Sequence, residues 1–395
     1  MAGNQRELQR EERRAQKDRK NRFIIWAFIA IIIVILAVMK ICEININSVK
    51  DRFTDENGKF TISQTAQEGN FPYNLDSSQK VILKNINNKL CALTPTSFTV
   101  LNSKNGEKEY SFDHGYLNPV IRSSGIYTLI YDQGAKSMRL DNTSGPVYEH
   151  ENEKNIFCAD TAKNGNIVLA TSSAEKKCDI TVYSKSLKEI MKTSVSYGYV
   201  ISVAINDSGS KIAFVAVNSE NAQLKARLFT MNVGSDDIKL EKELPSGNVL
   251  DLKYSSGNAF VVADTYVGVV INQKKYKDVY KSSEINTVCF TYSPSNDLIL
   301  VYSDYNSATD NKLVRIKSNG KIKDELKIDG NVKSVSASSS IISVLTSNSI
   351  NSYSLGSFKD KGKTDTDDSI KSICRMGSNV FVHRQSLVDR IEAKD

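Results

Sequence analysis

A turn followed by a short apolar run recurs eight times along the chain, and this repeat limits the possible fold more than any other feature. Typical apolar runs are KIAFVAV and LILVYS, each of which follows a cluster of Gly, Ser, Asn or Asp. The turns are 37 to 48 residues apart, with a mean step of about 41 residues. They centre near Asn88, Gly125, Gly165, Gly209, Gly257, Ser295, Ser339 and Gly377. Four short strands fit within each step, which is the size of one β-propeller blade.

The repeat therefore predicts an all-β protein with the fold of an eight-bladed β-propeller. One repeat cannot bury both faces of its sheet, so neighbouring repeats must stack around an axis. A seven-bladed ring is the alternative, and an elongated array of β-sandwiches is a third option. The last repeat supplies only three strands, and an unpaired strand edge invites aggregation. We predict that the alternating segment 59–64 closes the ring as the outer strand of the final blade.

A run of seventeen residues without a polar side chain occupies positions 23–39. Lys40 can reach the interface with its long side chain, which extends the apolar segment to residue 42 and makes it long enough to cross a membrane. A cleaved secretory signal would have a shorter apolar region and a small-x-small cleavage site, which Met39, Lys40 and Ile41 do not provide. Residues 23–42 are therefore predicted to form an uncleaved transmembrane signal-anchor helix.

Charged residues are distributed unequally around this apolar run. Residues 1–22 carry eight Arg/Lys and four Asp/Glu, whereas only Lys40, Lys50 and Arg52 lie close on the other side. Positive charge favours the cytoplasmic side of a membrane. The sequence thus predicts a single-pass protein of the cell membrane, whose domains are a basic cytoplasmic tail at 1–22, a transmembrane helix at 23–42, a linker at 43–58 and an extracellular propeller at 59–395.

Composition and motifs exclude several classes of function. The formal net charge is +7, of which only +3 lies outside the tail, so no nucleic-acid partner is expected. The six cysteines form no C-x-x-C pair and have no histidine at metal spacing. The chain also lacks G-x-S-x-G, H-E-x-x-H, phosphate-loop and EF-hand motifs. We expect no cofactor, no metal and no nucleophilic catalysis.

Carboxylates beside predicted turns leave one enzymatic alternative open. Glycosidases use two carboxylates about 5 to 10 Å apart. In a propeller such a pair would converge in the central channel from different blades. An aspartate beside a turn more often accepts a hydrogen bond from its own backbone, and that interpretation is the favoured one. The aspartates concerned are Asp132, Asp160, Asp264 and Asp304.

Several stretches resemble known propeller families. The segments NDSGSKIAFVA and YSPSNDLILVYS are similar to the first hairpin of TolB-type and WD40-type repeats, but the Trp-Asp dipeptides of WD40 blades and the repeated tryptophans of quinoprotein propellers are missing. The basic tail, the membrane helix, HGYLNP and YDQGAKSMRL resemble an uncharacterised family of membrane-anchored propellers from Firmicutes. Tyr131, Asp132, Gly134 and Lys136 match that family's Tyr-Asp-x-Gly-Gly-Lys-like stretch, whereas Ala135 replaces its second glycine. The resemblance implies a Gram-positive cell-envelope location and no particular activity.

The same two stretches predict one cluster of candidate binding residues. In a four-stranded blade, the loop that leads into the innermost strand and the loop between the second and third strands emerge on the same face. HGYLNP and DQGAK occupy these two positions in the second repeat. Loops on a rigid scaffold commonly recognise ligands. In the alternative interpretation, which is the favoured one, Gly115 and Pro119 shape one turn and Asp132 caps another. The candidate binding residues are His114, Tyr116, Asn118, Tyr131, Asp132 and Lys136.

A large scaffold without catalytic motifs favours an interaction module over an enzyme. We expect a membrane-tethered propeller that binds another envelope protein or cell-wall glycan. One alternative is an enzyme that acts on wall polysaccharide, as a glycosidase or a lyase. Another is a transmembrane sensor, which would need a cytoplasmic partner because a tail of 22 residues is too short to fold alone.

Overall fold

The computed structural model describes residues 71–77, 79–304 and 310–392. Within these residues the chain forms 32 strands, which pair as eight antiparallel sheets of four strands each. Nothing helical and apolar enough to cross a bilayer occurs in this part of the chain. The predicted tail, transmembrane helix and linker lie outside the described residues.

Each sheet is one blade, whose first strand lies nearest the ring centre and whose fourth strand lies outermost. The first blade contains β2 Ile82–Ile86, β3 Lys89–Leu93, β4 Ser97–Leu101 and β5 Lys108–Asp113. The second contains β6 Pro119–Ser124, β7 Tyr127–Asp132, β8 Ser137–Asn142 and β9 Gly145–Glu151. The third contains β10 Ile156–Thr161, β11 Ile167–Ser172, β12 Cys178–Tyr183 and β13 Glu189–Val195. The fourth contains β14 Tyr199–Ile205, β15 Lys211–Glu220, β16 Gln223–Asn232 and β17 Ile238–Glu243.

The remaining four blades repeat this arrangement. The fifth contains β18 Val249–Ser255, β19 Asn258–Ala263, β20 Val267–Ile271 and β21 Lys275–Tyr280. The sixth contains β22 Ile285–Tyr292, β23 Leu298–Asp304, β24 Asn311–Ile316 and β25 Ile322–Ile328. The seventh contains β26 Val332–Ala337, β27 Ile341–Thr346, β28 Ser349–Ser354 and β29 Asp360–Asp365. The eighth contains β30 Ile370–Met376, β31 Asn379–Arg384, β32 Leu387–Glu392 and, as its outer strand, β1 Tyr73–Asn74.

The hydrophobic core lies between consecutive blades rather than at the ring centre. Each of the eight blade-to-blade contacts has its own buried apolar cluster, including the contact between the eighth and first blades. A sheet covered on both faces needs apolar residues at successive positions, which explains continuous runs such as LILVYS. The prediction of eight blades is therefore confirmed, and the seven-bladed ring and the sandwich array are wrong.

The eight predicted turns all lie between the first and second strands of a blade. Gly165 shows why one of them requires glycine. Its φ is +82°, a value that side chains disfavour, and a Cβ atom there would lie 2.9 Å from the Tyr127 ring. One such turn occurs in each blade, so the number of turns in the sequence gives the number of blades.

The first strand closes the ring by pairing with the last one. Tyr73 pairs with Val388 and Asn74 with Leu387. The position predicted for this strand was wrong: residues 73–74 take the role that was predicted for 59–64, and 59–64 lie outside the described residues. In FPYNL, the alternate residues Phe71, Tyr73 and Leu75 pack on the core of the eighth blade, a period of two that favours a strand.

The strand order gives the ring two different faces. The upper face, as we call it, carries the loops that lead into the inner strands and the loops between the second and third strands of each blade. The lower face carries the loops between first and second strands and between third and fourth strands. The central channel runs between these faces and is lined by the eight inner strands.

Candidate binding face

The two sequence stretches singled out above meet on the upper face. The carboxylate of Asp132, at the end of β7, accepts hydrogen bonds from the backbone N–H groups of Leu117 (3.0 Å) and Asn118 (2.7 Å). The backbone N–H of Gln133 donates to the carbonyl of Asn118 at 3.0 Å. The loop that leads into β6 and the loop between β7 and β8 are therefore joined, as the sequence predicted.

The six candidate residues differ in how far their side chains reach the surface. His114 is buried and stacks on Tyr116 with 4.8 Å between ring centroids. Burial lowers the pKa of His114, so its imidazole is biased toward the neutral form. Tyr131 is only 3% exposed and packs in the core between the second and third blades. Of the six, Asn118 and Lys136 have exposed side chains, so those two and the backbone are accessible to a partner.

Asp132 shapes the loop 114–118, and its removal is expected to loosen that loop. Asp132→Ala leaves two backbone N–H groups without their acceptor, which costs about 1 to 3 kcal/mol. Asp132→Asn keeps one acceptor oxygen and is expected to cost less. Thermal unfolding of both variants measures the difference. Equal stability of Asp132→Ala and the wild type would contradict the capping role.

An arc of apolar residues lies next to these loops, around the upper mouth of the channel. Six inner strands, from the third blade to the eighth, have a register shift near their upper end. Such a bulge leaves one residue outside the ladder and re-aims its side chain. The skipped residues are Phe157, Ile201, Leu250, Val288, Lys333 and Lys371. Of these, Ile201, Leu250 and Val288 are 39%, 49% and 40% exposed.

The hairpin β15–β16 stands above the upper face beside this arc. Its strands have ten residues each, whereas the other second and third strands of the blades have five to seven. Four additional residues extend a strand by about 13 Å. Leu224 near the tip is 74% exposed. A groove of about 810 Å³ lies between this hairpin and Ile201, and its lining includes Leu244 and Pro245.

A second, smaller cavity connects the arc to the predicted loops. It has a volume of about 310 Å³ and is lined by Gln133, Phe157, Tyr199 and Ile201. The Gln133 side chain donates to the backbone carbonyl of Phe157 at 2.9 Å. The two cavities share Ile201, and the smaller one reaches the predicted loops at Gln133. We give the name apolar shelf to the exposed or half-buried apolar residues of the upper face that line these cavities or belong to the adjoining loop and inner strand, namely Leu117, Phe157, Tyr199, Ile201, Leu224 and Leu250.

Three of the four aspartates considered for glycosidase chemistry are engaged locally. Asp132 caps its loop, Asp264 accepts hydrogen bonds from the backbone and side chain of Asn248, and Asp304 forms an ion pair with Lys312. These partners are 8 to 16 residues away along the chain, so the three aspartates are held locally, but not through the backbone of their own turn as the sequence interpretation expected. Asp160 is the exception because it lies in the central channel, where its carboxylate accepts from the backbone N–H of Ile205 at 3.1 Å.

The central channel contains a charge cluster that joins distant blades. Arg122 of the second blade forms an ion pair with Asp251 of the fifth blade at 2.7 Å, and the Tyr292 hydroxyl donates to the same carboxylate at 2.9 Å. Burial raises the pKa of Asp251, but Arg122 and its neighbours outweigh it, so the net shift is downward. Burial raises the pKa of Asp160, which forms no such direct ion pair within the described residues.

Two lysines complete the channel cluster. Lys253 lies over the Tyr292 ring, with its ammonium nitrogen 4.6 Å from the ring centroid. Lys84 donates to the backbone carbonyl of Ile121 at 3.2 Å. Burial, and then repulsion from Lys253 and Arg122, lowers the pKa of Lys84 to about 8. Neither lysine forms an ion pair with a carboxylate in the described part of the chain.

Four residues of this cluster were not predicted from the sequence: Arg122, Asp251, Lys253 and Tyr292. The available signal was a charged residue inside an otherwise apolar inner-strand run, as in VILKNI, PVIRSS and VLDLKY. Such a residue has to face either a partner or a channel. As for metals, no group of three or more His, Cys, Asp or Glu side chains suited to a metal ion occurs in residues 71–77, 79–304 and 310–392.

Comparisons with known proteins agree with this architecture. The model of a family described as "Family of unknown function (DUF5711)" matches residues 62–392. The resemblance to an uncharacterised family is confirmed at that level, while a Firmicute origin stays a prediction. No curated protein matches the sequence.

Solved structures share the fold at low sequence identity. The C-terminal WD40 domain of Sif2 has a TM-score of 0.55 and 10% identity, and the match covers 83% of this chain and 99% of that chain. BamB from Moraxella catarrhalis has a TM-score of 0.48 and 9% identity, with 80% and 97% covered. Apo AztD from Citrobacter koseri has a TM-score of 0.49 and 13% identity, with 75% and 86% covered. The likeness to the WD40 domain supports the propeller fold and nothing further.

Proposed function

The chain belongs to the DUF5711 family of unknown function, and we propose that its propeller is a protein-binding scaffold that holds another cell-envelope protein on the upper face. The observation that carries this proposal is the apolar shelf. Leu117 is 92% exposed, Leu224 is 74% exposed and Tyr199 is 54% exposed. Contiguous exposed apolar surface on a folded domain marks an interaction site, because leaving it in water costs free energy.

The chemistry of the shelf favours a protein partner over a glycan. Four of its six residues are Leu or Ile, whose side chains gain free energy by burial against other apolar groups. Two are aromatic, and Phe157 and Tyr199 meet edge to face with 6.4 Å between centroids. Aromatic and apolar residues surrounded by a polar rim are the usual composition of the centre of a protein interface. Glycan binding would instead need a wide set of free hydrogen-bonding groups beside flat rings.

The geometry also favours binding over catalysis. The carboxylate of Glu243, in the lining of the larger cavity, forms an ion pair with Lys225, and three of the four aspartates considered for glycosidase chemistry are engaged in caps or ion pairs. The cavities of about 810 and 310 Å³ that flank Ile201 offer recesses for the side chains of a partner. Anchor residues that fill such recesses supply most of the affinity of an interface.

The proposal includes a tether to the cell membrane. Residues 23–42 are the anchor, residues 1–22 stay in the cytoplasm and the propeller lies outside. The support is the uninterrupted apolar run at 23–39 and the excess of Arg and Lys before it. A tether confines the propeller to the membrane surface, which raises its effective concentration toward other envelope proteins.

The test is recovery of partners by crosslinking in intact cells, followed by affinity purification of the full chain and mass spectrometry. Ile201→Asp combined with Leu224→Asp places two charges in the shelf. Loss of anchor residues at the centre of an interface typically costs at least 2 kcal/mol each, so recovery of a specific partner is expected to fall by about tenfold or more.

Matched controls place the same charge on exposed isoleucines elsewhere. Ile126 lies on the lower face and is 42% exposed, and Ile190 lies on the outer strand β13 and is 43% exposed. Ile126→Asp and Ile190→Asp are expected to recover the partner as the wild type does. Equal loss in shelf and control variants, or no loss in either, would refute docking at the upper face.

A further inference from the structure

The lower mouth of the central channel holds a cavity that the protein-binding proposal does not use. Its volume is about 450 Å³, which is within the range of small-molecule sites. The wall carries Asp160, Lys253 and Tyr292 together with Ser, Thr and Asn side chains from several blades. The loops around it join first and second strands, so the cavity opens on the face opposite to the apolar shelf.

The cross-channel ion pair separates this cavity from the upper face. Inner strands run from the upper face to the lower one. Along β6, Ser123 and Ser124 line the cavity and follow Arg122. Along β18, Lys253 lines the cavity and follows Asp251. Arg122 and Asp251 therefore lie beyond the inner end of the cavity, on its upper side, and a ligand would enter from the lower face.

Positive charge exceeds negative charge around the inner end of the cavity. Arg122 and Asp251 neutralise each other, and the second acid, Asp160, faces two lysines, Lys84 and Lys253. The excess is one positive charge with Asp160 ionised, and it increases when Asp160 takes up a proton. Uncompensated charge away from bulk water is costly, so an anion that enters this site is attracted.

We propose that this cavity binds a small anion, a carboxylate or a phosphate group, through the ammonium group of Lys253. Lys84 adds attraction from deeper in the channel. Hydroxyl and amide groups of Ser123, Ser124 and Asn296 on the cavity wall supply neutral donors for the remaining oxygens of the ligand. A charge-assisted hydrogen bond of this kind is stronger than a bond between neutral groups.

The experiment measures anion binding by the full chain in detergent, at constant ionic strength, with chloride as the reference anion. Inorganic phosphate and succinate are titrated separately, and the rise in melting temperature gives the apparent affinity. We expect a saturable rise with at least one of them, which also identifies the preferred anionic group. Lys253→Met is expected to weaken that binding by about tenfold or more, since it removes a charged donor.

A control variant and a pH series test whether the lysines of the cavity are responsible for the binding. Lys185→Met removes an exposed lysine of the lower face outside the cavity and is expected to bind like the wild type. Binding to the wild type is also expected to weaken as the pH rises from 7 to 9, because Lys84, whose pKa burial lowers to about 8, loses its proton in that range. The proposal is overturned if neither anion stabilises the wild type more than Lys253→Met. That result would leave the upper-face docking proposal unaffected, because no shelf residue is changed.

Discussion

Replacing Arg122 by methionine is expected to destabilise the propeller by about 3 to 5 kcal/mol, because it removes one partner of a buried ion pair. The Asp251 side chain is 8% exposed and, among the described residues, would keep the Tyr292 hydroxyl as its one direct donor. Arg227→Met is the matched control, since Arg227 pairs with Glu241 near the surface, where solvent screens the attraction, so a much smaller loss of stability is expected. Urea unfolding of the full chain measures both effects.

A double variant separates the loss of the pair from the loss of a bulky side chain. Arg122→Met combined with Asp251→Leu leaves neither partner charged, so it is expected to be more stable than Arg122→Met alone. A double variant as unstable as Arg122→Met alone would argue against a stabilising pair.

The ion pair also makes the stability of the wild type depend on pH. The pKa of Asp251 is lower in the folded state than in the unfolded chain. The stabilisation that ionised Asp251 contributes is therefore present above the unfolded pKa near 4 and is lost as the pH falls through the folded pKa.

Phe381→Ala is expected to cost about 3 to 5 kcal/mol and to weaken the closure of the ring. Phe381 is fully buried in the eighth blade, and the Phe71 ring packs on it with 5.3 Å between centroids. If the segment around β1 holds the ring closed, the effects of Phe71→Ala and Phe381→Ala on the free energy of unfolding should not be additive. A double-mutant cycle is expected to give a coupling energy of about 0.5 to 1.5 kcal/mol.

Phe260→Ala is the matched control for this cycle. Phe260 is also fully buried, but it lies in the fifth blade. Phe260→Ala is expected to lower the free energy of unfolding by about as much as Phe381→Ala does. Its effect is expected to be additive with that of Phe71→Ala, without a coupling energy. Coupling of Phe71 to both phenylalanines, or to neither, would contradict a local role in ring closure.

The blade count could be predicted from the sequence because each first hairpin needs a turn residue. Gly165, Gly209 and Gly257 have φ values of +82°, +69° and +84°, which glycine adopts without strain, so the backbone favours Gly at these positions. The closing strand was harder to place because Tyr73–Asn74 is only two residues long. A segment this short gives almost no periodic signal, and the longer alternating segment 59–64 looked more like a strand.

The apolar shelf could not be predicted for a different reason. Blades are covered on both faces, so the inner strands read as continuous apolar runs. In such a run Ile201, 39% exposed, and Val203, 1% exposed, cannot be distinguished by residue type. Only the bulge in β14 changes which side chain is covered, and bulges leave little trace in a sequence.

The channel cluster depends on closure of the ring. Arg122 and Asp251 are 129 residues apart and meet only because two inner strands face each other across the channel. Hairpin contacts, by contrast, follow from neighbouring positions in the chain. The loop cluster at Asp132 was predictable because it needs only the internal geometry of one blade. Whether its six residues contact a partner stays a prediction.

The measurement that tests the docking claim most directly is site-specific photo-crosslinking of the full chain in intact cells. A photoreactive residue is placed at Ile201 or Leu224 in the shelf, and at Ile126 or Ile190 as controls of similar exposure to Ile201. Binding at the upper face predicts that Ile201 and Leu224 give the same protein adduct and that the control positions do not. Adducts of equal yield at all four positions, or none from the shelf, would contradict it.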